Sequence, residues 1–152
     1  MTNPLLAPWT AAYGMPPFDR LRDEDFAPAF DYALAAARAR IAAIASASDA
    51  PTFANVIEAL ELAEDSLSRV AAVFYNLAGA DATPAREALE RDLAPKLAAF
   101  SSEVTMNAGL FAKVSDVWGR RDTLGLDGEQ LRVLTLYHRM FVRAGAALDG
   151  PA

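Results

Sequence analysis

Apolar residues recur at spacings of three and four along most of this chain, the pattern of helices that each bury one face. From Asp25, the positions Phe26, Phe30, Leu34, Ala37, Ile41 and Ile44 share one face of a predicted helix. Pro28 has no N–H and suits only a first turn, so this helix is expected to start close to it and to end at "SASDAP" (46–51). A second stripe, Phe53, Val56, Ile57, Leu60, Leu67, Val70, Ala71, Phe74 and Leu77, follows Thr52, which suits an N-cap, and runs to "AGADAT" (78–83). A third, Leu89, Leu93, Leu97, Phe100, Val104, Phe111, Val114 and Trp118, follows Thr83 as N-cap with Pro84 at the first helical position. Pro95 should bend this run, and residues 107–109 should break it in two. "RRDTLGLD" (120–127) reads as a connector. Asp127 and Gln130 have the spacing of a capping box, and the last helix is expected to reach about Leu148. No alternating strand pattern and no internal repeat competes with this reading.

The expected fold is all-α, a helical bundle of four to five long helices with an extended Pro-rich N-terminal arm. The arm is residues 1–22, where Pro4, Pro8, Pro16 and Pro17 forbid a regular helix. Trp9, Tyr13 and Phe18 predict that it lies on an apolar surface. Residues 23–150 are expected to form the helical domain.

Composition narrows the chemistry. The 152 residues are 53% hydrophobic and 22% charged, which fits a globular chain with a sizeable core. A net charge of −6 argues against nucleic acid or an anionic membrane as partner. No stretch has the roughly 18–20 uncharged apolar residues of a membrane span. The opening "MTNPLLAPWTAAYGMPP" lacks a basic and an apolar segment, so no signal peptide is expected. With no cysteine, disulfides, thiolate metal sites and cysteine nucleophiles are excluded, and a cytoplasmic location is expected.

His138 is the only histidine. It shares an arc of the last helix with Leu131, Leu134, Phe141, Val142 and Gly145, so it faces the apolar side. The zinc-peptidase motif H-E-x-x-H needs a second histidine four residues away, but positions 134 and 142 are Leu and Val. His138 is therefore read as a packing residue. Arg132, Arg139 and Arg143 could clamp an anion and are read as a solvated face. Glu58, Glu61, Glu64 and Asp65 could mimic a catalytic carboxylate pair and are read as an exposed acidic face. Trp118 before "GRR" continues a buried stripe and is assigned to the core. Gly125 and Gly128 flank the connector with no preceding strand, so they make no phosphate loop. Ser66, Ser68, Ser101, Ser102 and Ser115 lack a histidine base in any nearby motif.

Seven phrases stand in one order: "PPFDRL", "DFAPAFDYAL", "IAAIA", "PTFANVIEALE", "LSRVAAVFYNL", "LFAKVSDVWGRRDTLGLDGEQLRVL" and "YHRMFVRAGAAL". Together they resemble the N-terminal part of thimet-oligopeptidase-like zinc metallopeptidases. The bacterial peptidyl-dipeptidase (dipeptidyl carboxypeptidase) branch is the more similar, with oligopeptidase A next. Val56, Ala63 and Glu64 depart from the family's usual Thr, Ser and Gly, which bears on the branch rather than the family. The resemblance implies a helical two-part enzyme that cuts oligopeptides in a deep channel, with the N-terminal helices in one wall restricting entry. Its zinc ligands, H-E-x-x-H and a later glutamate, belong to the C-terminal part. No position here matches them, so no catalytic, cofactor-binding or metal residue is assigned. His138 corresponds to a histidine of the family pattern "xxHxxFVxxGAxL", outside the zinc motif.

The implied reading is an excised, non-catalytic N-terminal domain with no helix stop beyond Gly150–Pro151, and a genuine short gene product is the second explanation. Its partners would be the catalytic remainder, which carries zinc, and oligopeptide substrates. A homodimer of the isolated domain is also expected. The alternative is a stand-alone helical module that binds a protein or peptide.

Overall fold

A computed structural model describes residues 3–148, so the expected stop at Gly150–Pro151 lies outside the described residues. Among those residues the fold is all-α, with no strand. Five helices of twelve residues or more are α1 (Asp23–Ser46), α3 (Asp65–Ala80), α4 (Pro84–Thr105), α5 (Ala108–Gly119) and α6 (Gly128–Arg143); a short α2 (Ala59–Ala63) precedes α3. No helix among the described residues is long and apolar enough to cross a membrane. The chain divides into two compact units, and the divisions fall within α1, within α4 and between α2 and α3.

The first unit comprises the residues up to Arg38 together with Glu64–Ala98. Its N-terminal segment is punctuated by turns, with single 3-10 turns at Ala12–Gly14 and Phe18–Arg20. Leu5 is buried and Trp9 half-buried, but Tyr13 is fully exposed, so only part of the predicted apolar docking is made. Helix α1 starts at Asp23, five residues before Pro28, rather than close to it. Asp25 explains the early start, because its carboxylate accepts from the Arg22 N–H at 2.9 Å, and Asp23, Glu24 and Asp25 together favour a helix N-terminus. Pro28 then forgoes a single bond, to the carbonyl of Glu24.

The core of this unit is aromatic. Phe74 meets Phe26 and Phe30 edge-on, with centroids 5.3 and 5.5 Å apart, and all three rings are buried. Each such pair adds roughly 0.5–1.5 kcal/mol to the burial itself. Beside it, Arg86 is held at 14% side-chain exposure. Its Nε donates to Asp23 at 2.7 Å and its guanidinium to the Asp81 carbonyl at 2.6 Å. Thr83 caps α4 as expected, accepting from the Arg86 N–H at 3.2 Å while its hydroxyl donates to Asp23 at 3.1 Å.

The second unit comprises Ala39–Ala63 and the residues from Ala99 on. Thr52 and Asn55 form a reciprocal cap, with bonds of 2.7 and 3.1 Å. The turn they start, Phe53–Glu58, is a π-helix that buries Val56 and Ile57. The single stripe predicted from Phe53 to Leu77 is thus three elements, the π turn, α2 and α3, with the break before α3 at Glu64, which leaves helical geometry at φ −102°, ψ 8°. Asn107 caps α5 through its bond from the Leu110 N–H at 2.9 Å, which separates α5 from α4 as predicted. Asp127 and Gln130 make the predicted capping box on α6, with bonds of 2.8 and 3.1 Å. Leu110, Val114 and Val117 of α5 and Leu134 and Phe141 of α6 are buried.

Helix α6 ends at Arg143, short of the expected Leu148. Gly145 takes a left-handed φ of +93°, its N–H bonds back to Val142 at 3.1 Å, and the Ala146 N–H reaches Phe141 at 3.0 Å. This pair of reversed bonds closes a helix with glycine just past its end.

The Arg86 network yields a testable outcome. Arg86→Ala should destabilise the chain by about 2 kcal/mol, since it strands a partly buried Asp23. Replacing Arg86 and Asp23 together with apolar residues should recover part of that loss. Urea unfolding of the three proteins measures both effects.

Candidate functional site

The Asp127–Gln130 cap sets the start of α6, and ten residues further on α6 presents His138 to α5. The imidazole stacks on the Trp118 indole, with centroids 4.8 Å apart and planes 11° apart. Phe111 lies 6.2 Å away on the same side of α5, and Phe111 in turn meets Phe141 at 6.0 Å. Arg121 packs its guanidinium 4.4 Å from the Trp118 ring centre and donates to the Trp118 carbonyl at 2.9 Å. The result is a row of flat groups, Arg121–Trp118–His138, on the side of the α5–α6 pair.

This surrounding fixes the charge of His138. Burial, and secondarily the Arg121 charge, hold its pKa below the ordinary imidazole value. Both causes favour the neutral imidazole. The imidazole has no hydrogen-bond partner among the described residues and is half-buried. Its contacts are with the Trp118 and Phe111 rings.

Trp118 differs from its assignment to the core. It is half-buried, while its neighbours Val114 and Val117 are fully buried. The apolar stripe of α5 is centred on Leu110, Val114 and Val117, and Trp118 stands at its edge, where one ring face meets His138. Arg121 was not singled out in the sequence; its place directly after "GR" was the available signal.

The remaining candidates do not converge. Glu58 and Glu61 line a groove of about 540 Å³ with Asp127 and Glu129, over a floor of Phe53, Ile57, Leu62 and Val133. Glu64 and Asp65 belong to the other unit, so the predicted acidic face is divided. Glu64 is half-buried at the α2–α3 break, and burial raises its pKa above the ordinary carboxylate value. Arg132, Arg139 and Arg143 are exposed on the far side of α6 from Leu134 and Phe141. Gly125 takes a φ of +64° in the connector, and Gly128 opens α6.

Within the histidine's own unit, no hydrogen bond joins Ser101, Ser102 or Ser115 to His138. The Ser115 hydroxyl is buried without a hydrogen-bond partner on the face of α5 that carries Phe111 and Trp118. Ser66 and Ser68 lie on α3. No group of three or more His, Cys, Asp or Glu side chains that could hold a metal ion is found among the described residues. With one histidine and no cysteine, the donors present do not fit a peptidase zinc.

No family model matches the chain. It is 41% identical over 147 residues to the dipeptidyl carboxypeptidase of Salmonella typhimurium, an alignment that covers 97% of this chain and 22% of that protein. The dipeptidyl carboxypeptidase of Escherichia coli is 39% identical over 146 residues, with 96% and 21% covered. Oligopeptidase A of Salmonella typhimurium is 31% identical over 118 residues, with 77% and 17% covered. The chain thus spans about a fifth of the length of the curated relatives it matches. Over nearly its whole length it is similar to a piece of the dipeptidyl carboxypeptidases, and over about three-quarters of it to a piece of oligopeptidase A, as its phrases indicated.

Two titrations follow from the site. The lowered His138 pKa means that the unfolded chain takes up a proton before the folded one does as pH falls. Stability should hold above about pH 6.5 and decline as pH drops from there toward the folded-state value. His138→Gln should flatten that decline in denaturant titrations between pH 5 and 8.

Glu64 runs the opposite way, because its folded-state pKa is raised. Its favourable contribution is present below about pH 4.5 and is lost as pH rises through the folded-state value. Glu64→Gln should therefore raise the melting temperature at pH 7 and lose that advantage near pH 4.

Proposed function

We propose that this chain is the N-terminal, non-catalytic helical domain of a zinc-dependent peptidyl-dipeptidase or oligopeptidase, and that it helps form and restrict the channel through which short peptides reach the catalytic part. One observation carries the reading: identity of 41% that covers 97% of this chain yet 22% of a dipeptidyl carboxypeptidase. A chain aligned almost end to end with a fifth of such a protein is read as one of its domains.

The chemistry of the residues supports the division of labour. Peptide hydrolysis by a zinc enzyme needs a ligand set and a general base near the metal. This chain offers one histidine, stacked on an indole and without polar partners among the described residues. Zinc therefore belongs to the remainder of the longer protein in this reading, and the chain contributes shape. Helices with apolar inner faces and charged outer faces suit a wall that excludes folded substrates. A cytoplasmic setting agrees with the absence of cysteine.

The test is expression of the natural reading frame beside the 152-residue chain. The longer protein should release dipeptides from oligopeptides and lose that activity to a chelator. The chain alone should show neither activity nor stoichiometric zinc. His138→Gln in the longer protein should leave kcat within a few-fold, whereas loss of an acid–base group would cost roughly 10²–10⁴. A frame without an H-E-x-x-H helix, or chelator-sensitive turnover that purifies with the short chain, would overturn the reading in favour of a binding module or an independent enzyme.

A further inference from the structure

Helix α6 has two unlike faces. Leu134 and Phe141 are buried on the inner one. At 100° per residue the outer face carries Glu129, Arg132, Leu136, Arg139, Met140 and Arg143. Its centre is apolar and wet, since Leu136 is 49% exposed and Met140 38%. Three arginines against one glutamate leave the face at a net +2, in a chain whose net charge is −6.

The state of those arginines is unusual for this protein. Arg132, Arg139 and Arg143 have no ion-pair or hydrogen-bond partner among the described residues. Elsewhere Arg20, Arg22, Arg86, Lys96, Arg120 and Arg121 meet carboxylates, Arg40 and Lys113 meet backbone carbonyls, and Arg69 covers the Trp9 ring. Arg91 on α4 is the other cation without an interaction among the described residues. The unpaired positive charge is concentrated on one face, around two exposed apolar side chains. An apolar centre rimmed by arginine is the composition of a protein interface, and free guanidinium groups select carboxylates.

We infer that the outer face of α6 docks against an acidic surface with an apolar centre on the remainder of the longer protein. This rests on the reading of the chain as a domain, because about four-fifths of the relatives' length lies outside it. Charge argues against a second copy as occupant, since it would bring another face of net +2. In an antiparallel α6 pair centred on Leu136, Arg132 of each copy would also lie near Arg139 of the other. An acidic counter-surface has no such conflict.

The experiment uses the natural reading frame and the 152-residue chain, each as wild type, with Arg132, Arg139 and Arg143 all changed to Gln, and with all three changed to Glu. In the longer protein, the Glu variant should unfold several degrees earlier or in separated calorimetric steps. Proteinase K should nick it at least about tenfold faster near α6, with the Gln variant between. In the short chain the same changes should leave the melting temperature within about 1 °C, as for surface substitutions.

Equal behaviour of all three longer proteins overturns the inference, as does a frame that ends with this chain. A short-chain dimer that the Glu variant abolishes, seen in sedimentation, also overturns it by making a second copy the occupant. Cleavage of oligopeptides by the longer wild type judges the peptidase reading separately. An inert longer protein that still responds to charge reversal would sink that reading and keep the docking surface.

Discussion

Among the described residues the interior of this protein is built almost wholly from apolar side chains. Every fully buried residue among those described is apolar, so the helices are held by burial of their inner faces and little else. That constraint orders the rest of the structure. Charged groups are driven to outer faces and helix ends, where they cap, pair with neighbours, or stand free. Arg86 is a charged side chain that reaches low exposure, and it does so by bonding to Asp23 and the Asp81 carbonyl at once. His138 is instructive because it is an imidazole packed between helices, and its neighbours are an indole and a phenyl ring.

Much of the fold was legible because it is local. The caps at Thr52, Thr83 and Asp127 depend on side chains three residues from the N–H groups they satisfy, and such pairs can be read along a line. The inner faces of α1, α3, α5 and α6 follow helical period for the same reason. The early start of α1 runs against the signal of Pro28, because the acidic turn before the proline sets the helix N-terminus. The interruption at Glu64 and the π turn at Phe53–Glu58 carry no periodic mark, since the apolar stripe passes through both. The end of α6 was overrun because Gly145 was counted in the apolar arc, whereas its left-handed φ closes the helix.

The site was less legible than the fold. Periodicity says that His138 and Trp118 each lie on an apolar side, but not that the two rings stack, because stacking depends on how two helices pack. It says nothing of how Arg121 lies over the indole after the turn that ends α5. The family likeness rests on different information again, the order of whole phrases. It reached the right relatives from residues that have no common chemistry. That information lies in packing and register along the chain rather than in a cluster of side chains.

The stack on Trp118 also has an optical consequence. The chain holds two tryptophans, Trp9 beneath Arg69 in the first unit and Trp118 against His138 in the second. Each compact unit thus contains its own fluorophore, and each indole is packed by a different neighbour. Under excitation selective for indole, a Trp9→Phe protein emits from the second unit and a Trp118→Phe protein from the first. Light from the two would report separately when each unit opens, with an imidazole whose protonation state modulates one of the signals.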